Sequence, residues 1–356
     1  MKLKTFSFAK AVSTLSNLLA LTFLFYFSCK DNVSLPPEQE PPVAVWQSLD
    51  LKDKPATLVL SEPYLYACAG NDGLWRKNLQ TSGSEWEFLG LGKTGRYGLT
   101  TGAVQDVVIS VENPDWILAA TRDIGPFRSL DGGNTWTLAG NGLEYFYGSD
   151  TLFNIIYRFL QYPSYIIGTS SGAIYRTDDF ANSWVPISSN GPGGFLDAIA
   201  NHNLFPNIIW MGGTGWIEEP FLQKSIDSGI KWQDIEIDSL IGDVNGVNSI
   251  AFDPENSDIT YVGCDDEIIA TTDGGRTWKK LFASGAWAIL VDPRNSSHLW
   301  AASLDIKPFE TWDAGVTWLP MKGEIPLTSR VTDMVWDEKR EIVYVATNTG
   351  VYSFEQ

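Results

Sequence analysis

The stretch Ser129-Leu130-Asp131-Gly132-Gly133-Asn134-Thr135-Trp136 comes back along the chain. Its pattern, hydroxyl-x-Asp-x-Gly-x-Thr-Trp, recurs as SIDSGIKW at 225–232, TTDGGRTW at 271–278 and TWDAGVTW at 311–318. TDDFANSW at 177–184 carries Ala181 in the glycine's place. LQTSGSEW at 79–86 is worn, with Thr81 where the aspartate stands elsewhere. The tryptophans Trp86, Trp136, Trp184, Trp232, Trp278 and Trp318 lie 50, 48, 48, 46 and 40 residues apart. A period of this size marks a repeat architecture in which each unit is one supersecondary element. Asp-x-Gly between two strand-like runs is a hairpin turn. The carboxylate accepts backbone N–H groups within the turn, and glycine supplies positive φ without steric cost. The tryptophan that follows buries its indole between neighbouring units. The aspartates Asp131, Asp179, Asp227, Asp273 and Asp313 therefore read as structural.

Each repeat follows one plan, clearest between Val104 and Gly140. An apolar β-branched run at Val107–Val111 predicts a buried inner strand. The turn Glu112–Asp115 leads to a second strand over Trp116–Thr121. A third strand enters the repeated turn through Phe127–Ser129, and an outer strand leaves it over Thr135–Leu138. The last repeat, 330–356, holds three strands and no such turn, whereas Val45-Trp46 is an orphan fourth strand. Pairing the two ends closes the set and removes exposed sheet edges. No helix is expected after the N-terminal segment.

The repeated motif resembles the Asp-box of the bacterial neuraminidase repeat family. That family includes sortilin-type receptors, a photosystem II assembly factor and xyloglucan-hydrolysing enzymes. The resemblance covers about residues 45–356 and implies an all-β fold. The expected architecture is a single seven-bladed β-propeller, its last blade closed by the N-terminal strand. In that family the box lies between the third and fourth strands of a blade, so the boxes share one face. The opposite, loop-rich face is where binding is expected.

The N-terminus carries Lys2, Lys4 and Lys10, then an apolar run from Leu15 to Phe27. Ser28-Cys29 follows directly and resembles a bacterial lipobox. This divides the chain into a lipoprotein signal over 1–28, a Pro- and Glu-rich tether over 29–43 and the propeller over 44–356. The expected location is the outer membrane or cell surface, held by lipid on Cys29. The net charge is −18, and loss of three lysines with the signal makes it −21. Such a surface excludes nucleic acid as a partner and confines membrane contact to the anchor. A monomer or a subunit of an envelope complex is expected. Cys68 and Cys264 stand at equivalent strand positions and read as buried thiols.

Two constellations could carry function. The first lies in the loops of the face opposite the boxes: Arg96, Tyr97, Arg122, Asp123, Tyr145, Tyr147, Trp216, Glu218 and Asp266. Aromatic rings beside carboxylates suit stacking on sugars or gripping a peptide. The second is the residue opening each inner strand: Thr57, Asp106, Asn154, Asp197, Asn248, Trp287 and Asp333. These would ring the mouth of the central channel and bind a ligand there, or satisfy backbone groups and water.

Signatures of catalysis are sparse. Sialidases of the family carry Arg-Ile-Pro, which this chain lacks. Gly168-Thr169-Ser170-Ser171-Gly172 lacks the strand-to-helix setting of a nucleophile elbow. Thr121–Gly125 resembles the loop that carries a catalytic aspartate in the xyloglucan-hydrolysing enzymes. Asp123 would then need a partner carboxylate, from Asp106, Asp197 or Glu218, since glycoside hydrolysis uses two. The expected function is a non-catalytic envelope scaffold recognising a glycan or protein, with a xyloglucanase- or sialidase-like glycoside hydrolase as the alternative. No cofactor and no metal are expected. Cys29→Ala is expected to shift the protein from the membrane to the soluble fraction on cell fractionation; retention would overturn the anchor.

Overall fold

The repeated turn is closed by its own polar atoms. In the computed structural model, Ser129 Oγ donates to Asp131 Oδ1 at 2.8 Å and accepts the Gly133 N–H at 2.8 Å. From the other side, the Thr135 N–H reaches Asp131 Oδ1 at 2.8 Å and its hydroxyl reaches Oδ2 at 2.6 Å. Asp179, Asp273 and Asp313 are held by the same four bonds. At Asp227, Lys231 supplies its backbone N–H. In the worn copy Asn78 takes over, its Oδ1 accepting the N–H groups of Gln80 and Thr81. Two successive residues in each of the five intact boxes turn the chain through left-handed φ, 72° and 89° at Gly132 and Gly133. Phe180 and Ala181 do the same at 53° and 60°, a conformation that costs a residue with a Cβ roughly 1–2 kcal/mol.

The structure describes residues 45–92, 102–122, 124–143, 156–161, 165–169, 174–188, 194–215, 219–237, 246–303, 307–323, 325 and 329–355. Among them there is no helix, and every strand belongs to a four-stranded antiparallel sheet. The innermost strands are Thr57–Ser61, Ala103–Ile109, Ile156–Gln161, Gly194–Asn201, Val247–Phe252, Ala288–Val291 and Val331–Asp337. Six sheets run outward in chain order. In the seventh, Val331–Asp337, Ile342–Thr347 and Gly350–Glu355 are followed by Val45–Ser48, with Trp46 opposite Phe354. Successive innermost strands touch one another, and Val331–Asp337 touches Thr57–Ser61. The fold is a β-propeller.

The core lies between sheets. Leu58, Leu65 and Ala67 pack on Tyr344, Ala346 and Val351, joining first sheet to last. Trp210, fully buried on the fourth sheet, meets Trp278 of the fifth at 5.8 Å. Trp300 of the sixth stacks on Trp336 of the seventh at 5.4 Å. Polar straps reinforce these seams. The indole Nε1 of Trp86, Trp136 and Trp184 donates to Leu49, Leu89 and Ala139 carbonyls of the preceding unit, at 2.7, 2.9 and 2.6 Å. In the other direction Arg76, Arg128 and Lys224 reach the carbonyls of Gly132, Phe180 and Gly274, one position past the next box aspartate. The recurrence of a cation on the third strand is thus a device of packing.

Two boundaries differ from the sequence reading. The inner strand expected at 107–111 is Ala103–Ile109, because it extends toward the channel past a β-bulge. The outer strand expected over Thr135–Leu138 is only Thr137–Leu138, because Thr135 is spent closing the box. Cys68 and Cys264 are buried thiols outside any disulfide, and burial pushes Cys264 up to about 12.

The donors four residues on hold Asp131, Asp227, Asp273 and Asp313 below the ordinary aspartate value, Asp273 down to about 2. At Asp179 burial pulls upward, but the bonds from Ser183 outweigh it. A depressed carboxylate contributes stability that is present above its unfolded value, here 3.8, and lost as pH falls through the folded one. Urea midpoints are therefore expected to fall steeply from pH 4 to pH 2, and Asp273→Asn to flatten that slope.

Candidate functional site

The channel mouth gathers what the sequence scattered over the chain. A cavity of about 210 Å³ is lined by Thr57, Asp106, Asp197, Asn248, Trp287 and Asp333, among others. Asn154, the remaining member expected there, lies outside the described residues. The members do not share one register. On the second strands, Ala67, Ala120, Gly212, Gly263, Ala302 and Ala346 face Leu58, Asp106, Ala198, Ser249, Ala288 and Asp333. Asp106 and Asp333 occupy this paired position, whereas Thr57, Asp197, Asn248 and Trp287 stand one residue earlier.

The offset separates two kinds of carboxylate. Asp106 accepts the Val107 N–H through Oδ1 and the Phe159 N–H of the next inner strand through Oδ2, both at 2.8 Å. Asp333 does the same with Met334 at 2.9 Å and Leu58 at 2.8 Å, across the junction of last sheet and first. These two are staples between inner strands. Asn248 donates to Asp265 Oδ1 at 2.8 Å, tying the mouth to the loop that bears Asp266. Asp197 is half-buried and lines the cavity. Trp287 remains 40% exposed, with its backbone N–H fixed to the Ala302 carbonyl at 2.8 Å.

Of the loop constellation, Arg122 is exposed at the end of Ile117–Arg122, and Asp266 is exposed beside the Glu267–Lys280 ion pair. Arg96, Tyr97, Asp123, Tyr145, Tyr147, Trp216 and Glu218 lie outside the described residues, as does Cys29. Asp131, Asp179, Asp227, Asp273 and Asp313 are consumed by their turns.

Two features escaped the sequence reading. An open cleft of about 810 Å³ lies between the fourth and fifth boxes, lined by Lys224, Trp232, Asp258 and Arg276 among others. Burial lowers Lys224, against the pull of Asp258. The second is a buried histidine. His298 lies 3.3 Å from Asp292 Oδ2 and 3.4 Å from Glu310 Oε2, stacked flat on Trp312 at 3.6 Å. Burial acts to raise Asp292, but bonds from Arg294 and His298 prevail and hold it below the ordinary value. Glu310 occupies the third-strand position that is basic in Arg76, Arg128, Arg176 and Lys224. That one sign reversal in the repeat was the readable signal.

Solved structures with this fold include a peptide-bound protein and GH74 enzymes. YCF48 bound to D1 peptide aligns with 90% of this chain and 99% of its own length, at TM-score 0.63 and 15% identity. An ancestral GH74 enzyme aligns with 88% of this chain at TM-score 0.66 and 15% identity, over 46% of the enzyme. The GH74 xyloglucanase from Xanthomonas campestris aligns with 83% at TM-score 0.58 and 15% identity, over 51% of its length. The chain thus spans about half of either enzyme. Identities this low carry the fold alone. No protein-family model matches the sequence, and no curated protein matches it.

Removal of a staple strands two buried N–H groups, each costing about 1–3 kcal/mol. Asp106→Ala is expected to lower the unfolding free energy by roughly 2 kcal/mol or more in urea titration. Loss of ligand binding without loss of stability would instead mark Asp106 as a binding group.

Proposed function

We propose that this chain is a non-catalytic binding scaffold of the cell envelope: a seven-bladed ring fastened by Val45–Ser48, carried on a tether over 29–43 and anchored by lipid on Cys29. Its channel mouth takes a basic side chain from a partner protein. The observation that carries this reading is the mouth itself. Its 210 Å³ lies below the roughly 300–1,000 Å³ of pockets that enclose a whole small ligand. It suits one long side chain and a few waters. Carboxylates of Asp106, Asp197 and Asp333 offer negative charge, and Trp287 offers a π face for a guanidinium or ammonium. YCF48, which shares the fold, binds a peptide. The glycan reading would rely on the aromatic loops around Tyr97, Tyr145 and Trp216.

The glycoside hydrolase reading keeps its motive in the GH74 neighbours and in Asp123. Asp106 is a poor partner for Asp123, because both its oxygens already accept backbone N–H groups.

Titration calorimetry of the full chain against arginine- and lysine-bearing peptides is expected to show binding that fades with salt. Asp197→Asn and Trp287→Ala are each expected to weaken it about tenfold. Release of reducing ends from xyloglucan, abolished by Asp123→Asn, would overturn the scaffold reading, and tight binding of neutral oligosaccharides would replace peptide with glycan.

A further inference from the structure

The box turns carry more than blade closure. Among the described residues, twelve large apolar side chains are exposed. Eight of them stand in box turns or in the neighbouring turns between first and second strands, which share that end of the sheets. Three more lie on outer strands, and one, Trp287, is at the channel mouth. Scattered exposed apolar residues need no explanation, but concentration at one end of a molecule does. The box itself leaves its x positions free, since only the hydroxyl, aspartate, glycine and threonine positions serve the turn. Three boxes fill those positions with apolar groups: Leu130, then Ile226 with Ile230, then Trp312 with Val316. Exposure reaches 66% at Ile226 and 68% at Val316. Phe205 adds a ring beside Ile226, in a turn that is bonded to that box through Asn207 at 2.8 Å.

A second observation concerns where the chain enters. Val45 pairs with Glu355, the last residue of the third strand in its sheet, which is the end where the other sheets place their boxes. Val45, the first described residue, therefore stands at the apolar end. The sequence before it includes Cys29, the lipid site proposed above.

We infer that the Asp-box face rests on a lipid bilayer of neutral headgroups, with Leu130, Phe205, Ile226, Ile230, Trp312 and Val316 entering its interfacial layer. This inference rests on the lipid anchor proposed above. Aromatic and aliphatic side chains on a polar frame are the composition that interfacial binding uses, and indole rings favour headgroup depth. A net charge of −18, or −21 without the three lysines of the signal, selects neutral over anionic headgroups. The channel mouth then points away from the membrane, toward a partner.

Ile226→Cys and Val316→Cys in the full, lipidated chain provide sites for an environment-sensitive dye. Asp266→Cys and Lys307→Cys provide the same at the other end. Cys68 and Cys264 are buried. In phosphatidylcholine vesicles doped with a spin-labelled lipid, the first pair is expected to be quenched at least twice as strongly as the second. Equal or reversed quenching in vesicle-bound protein overturns the inference and leaves the anchor standing. Membrane retention of the Cys29→Ala chain overturns the anchor, and the quenching pattern still judges the face. Dye self-quenching that grows with protein concentration in the absence of lipid assigns the face to a second copy and overturns the inference.

Discussion

The carboxylate at the centre of each box is the bond on which the propeller depends. Outer strands as short as Thr137–Leu138, Gln233–Asp234 and Leu319–Pro320 offer two residues of ladder apiece. Two residues cannot hold a strand in place against its entropy. The box does so from outside the ladder, gathering two N–H groups and two hydroxyls onto one aspartate and one Ser or Thr. It also hangs from the turn beside it: the N–H groups of Gly132, Gly274 and Ala314 donate to the carbonyls of Asp115, Asp258 and Ser297 at 2.8–2.9 Å. Across the seam, the tryptophan reaches the preceding unit and that unit's Arg76, Arg128 or Lys224 reaches back. A closed turn, its own blade and the previous blade are thus fixed by eight residues.

The seventh sheet carries no box, and its seams are made with other residues. Asp333 accepts the Leu58 N–H, Thr332 donates to the Pro55 carbonyl at 2.9 Å, and Arg340 bridges Glu62 to Asp337. Trp46 packs against Phe354 at 4.8 Å and donates to the Lys322 carbonyl at 3.0 Å, the service that Trp86, Trp136 and Trp184 perform elsewhere. Polar and aromatic contacts recur at the same places with different residues, so the seam is preserved while its sequence signature is not.

The blade plan was legible because its determinants are local: turn residues at fixed offsets and apolar runs of strand length. The channel mouth was half legible. Residue types at the starts of inner strands named its lining, but not its register. Bulges between Val104 and Asp106 and between Val331 and Asp333 shift pairing by one, and no local pattern announces them. That single residue decides whether a carboxylate faces a backbone N–H of the next strand. The His298 nest was barely legible for another reason. Glu310, which reverses the charge of its repeat position, was its one mark in the sequence, and only the sheet brings Asp292, His298, Glu310 and Trp312 together.

The exposed apolar positions show the opposite failure, since Leu130, Ile226, Trp312 and Val316 sat in plain view inside the motif that organised the reading. A motif directs attention to its constrained positions, and the x positions were read as spacers. Their freedom from any duty in the turn is what makes them informative. A side chain that does nothing for the box is set by solvent, and solvent favours polar groups there, as at Thr272 and Arg276 of the fifth repeat. Ile226 with Ile230 departs from that expectation twice within one turn, and Val316 departs from it beside Trp312, one face of which is spent on His298. Physical constraint thus divides the box into positions that report the fold and positions that report what the face meets.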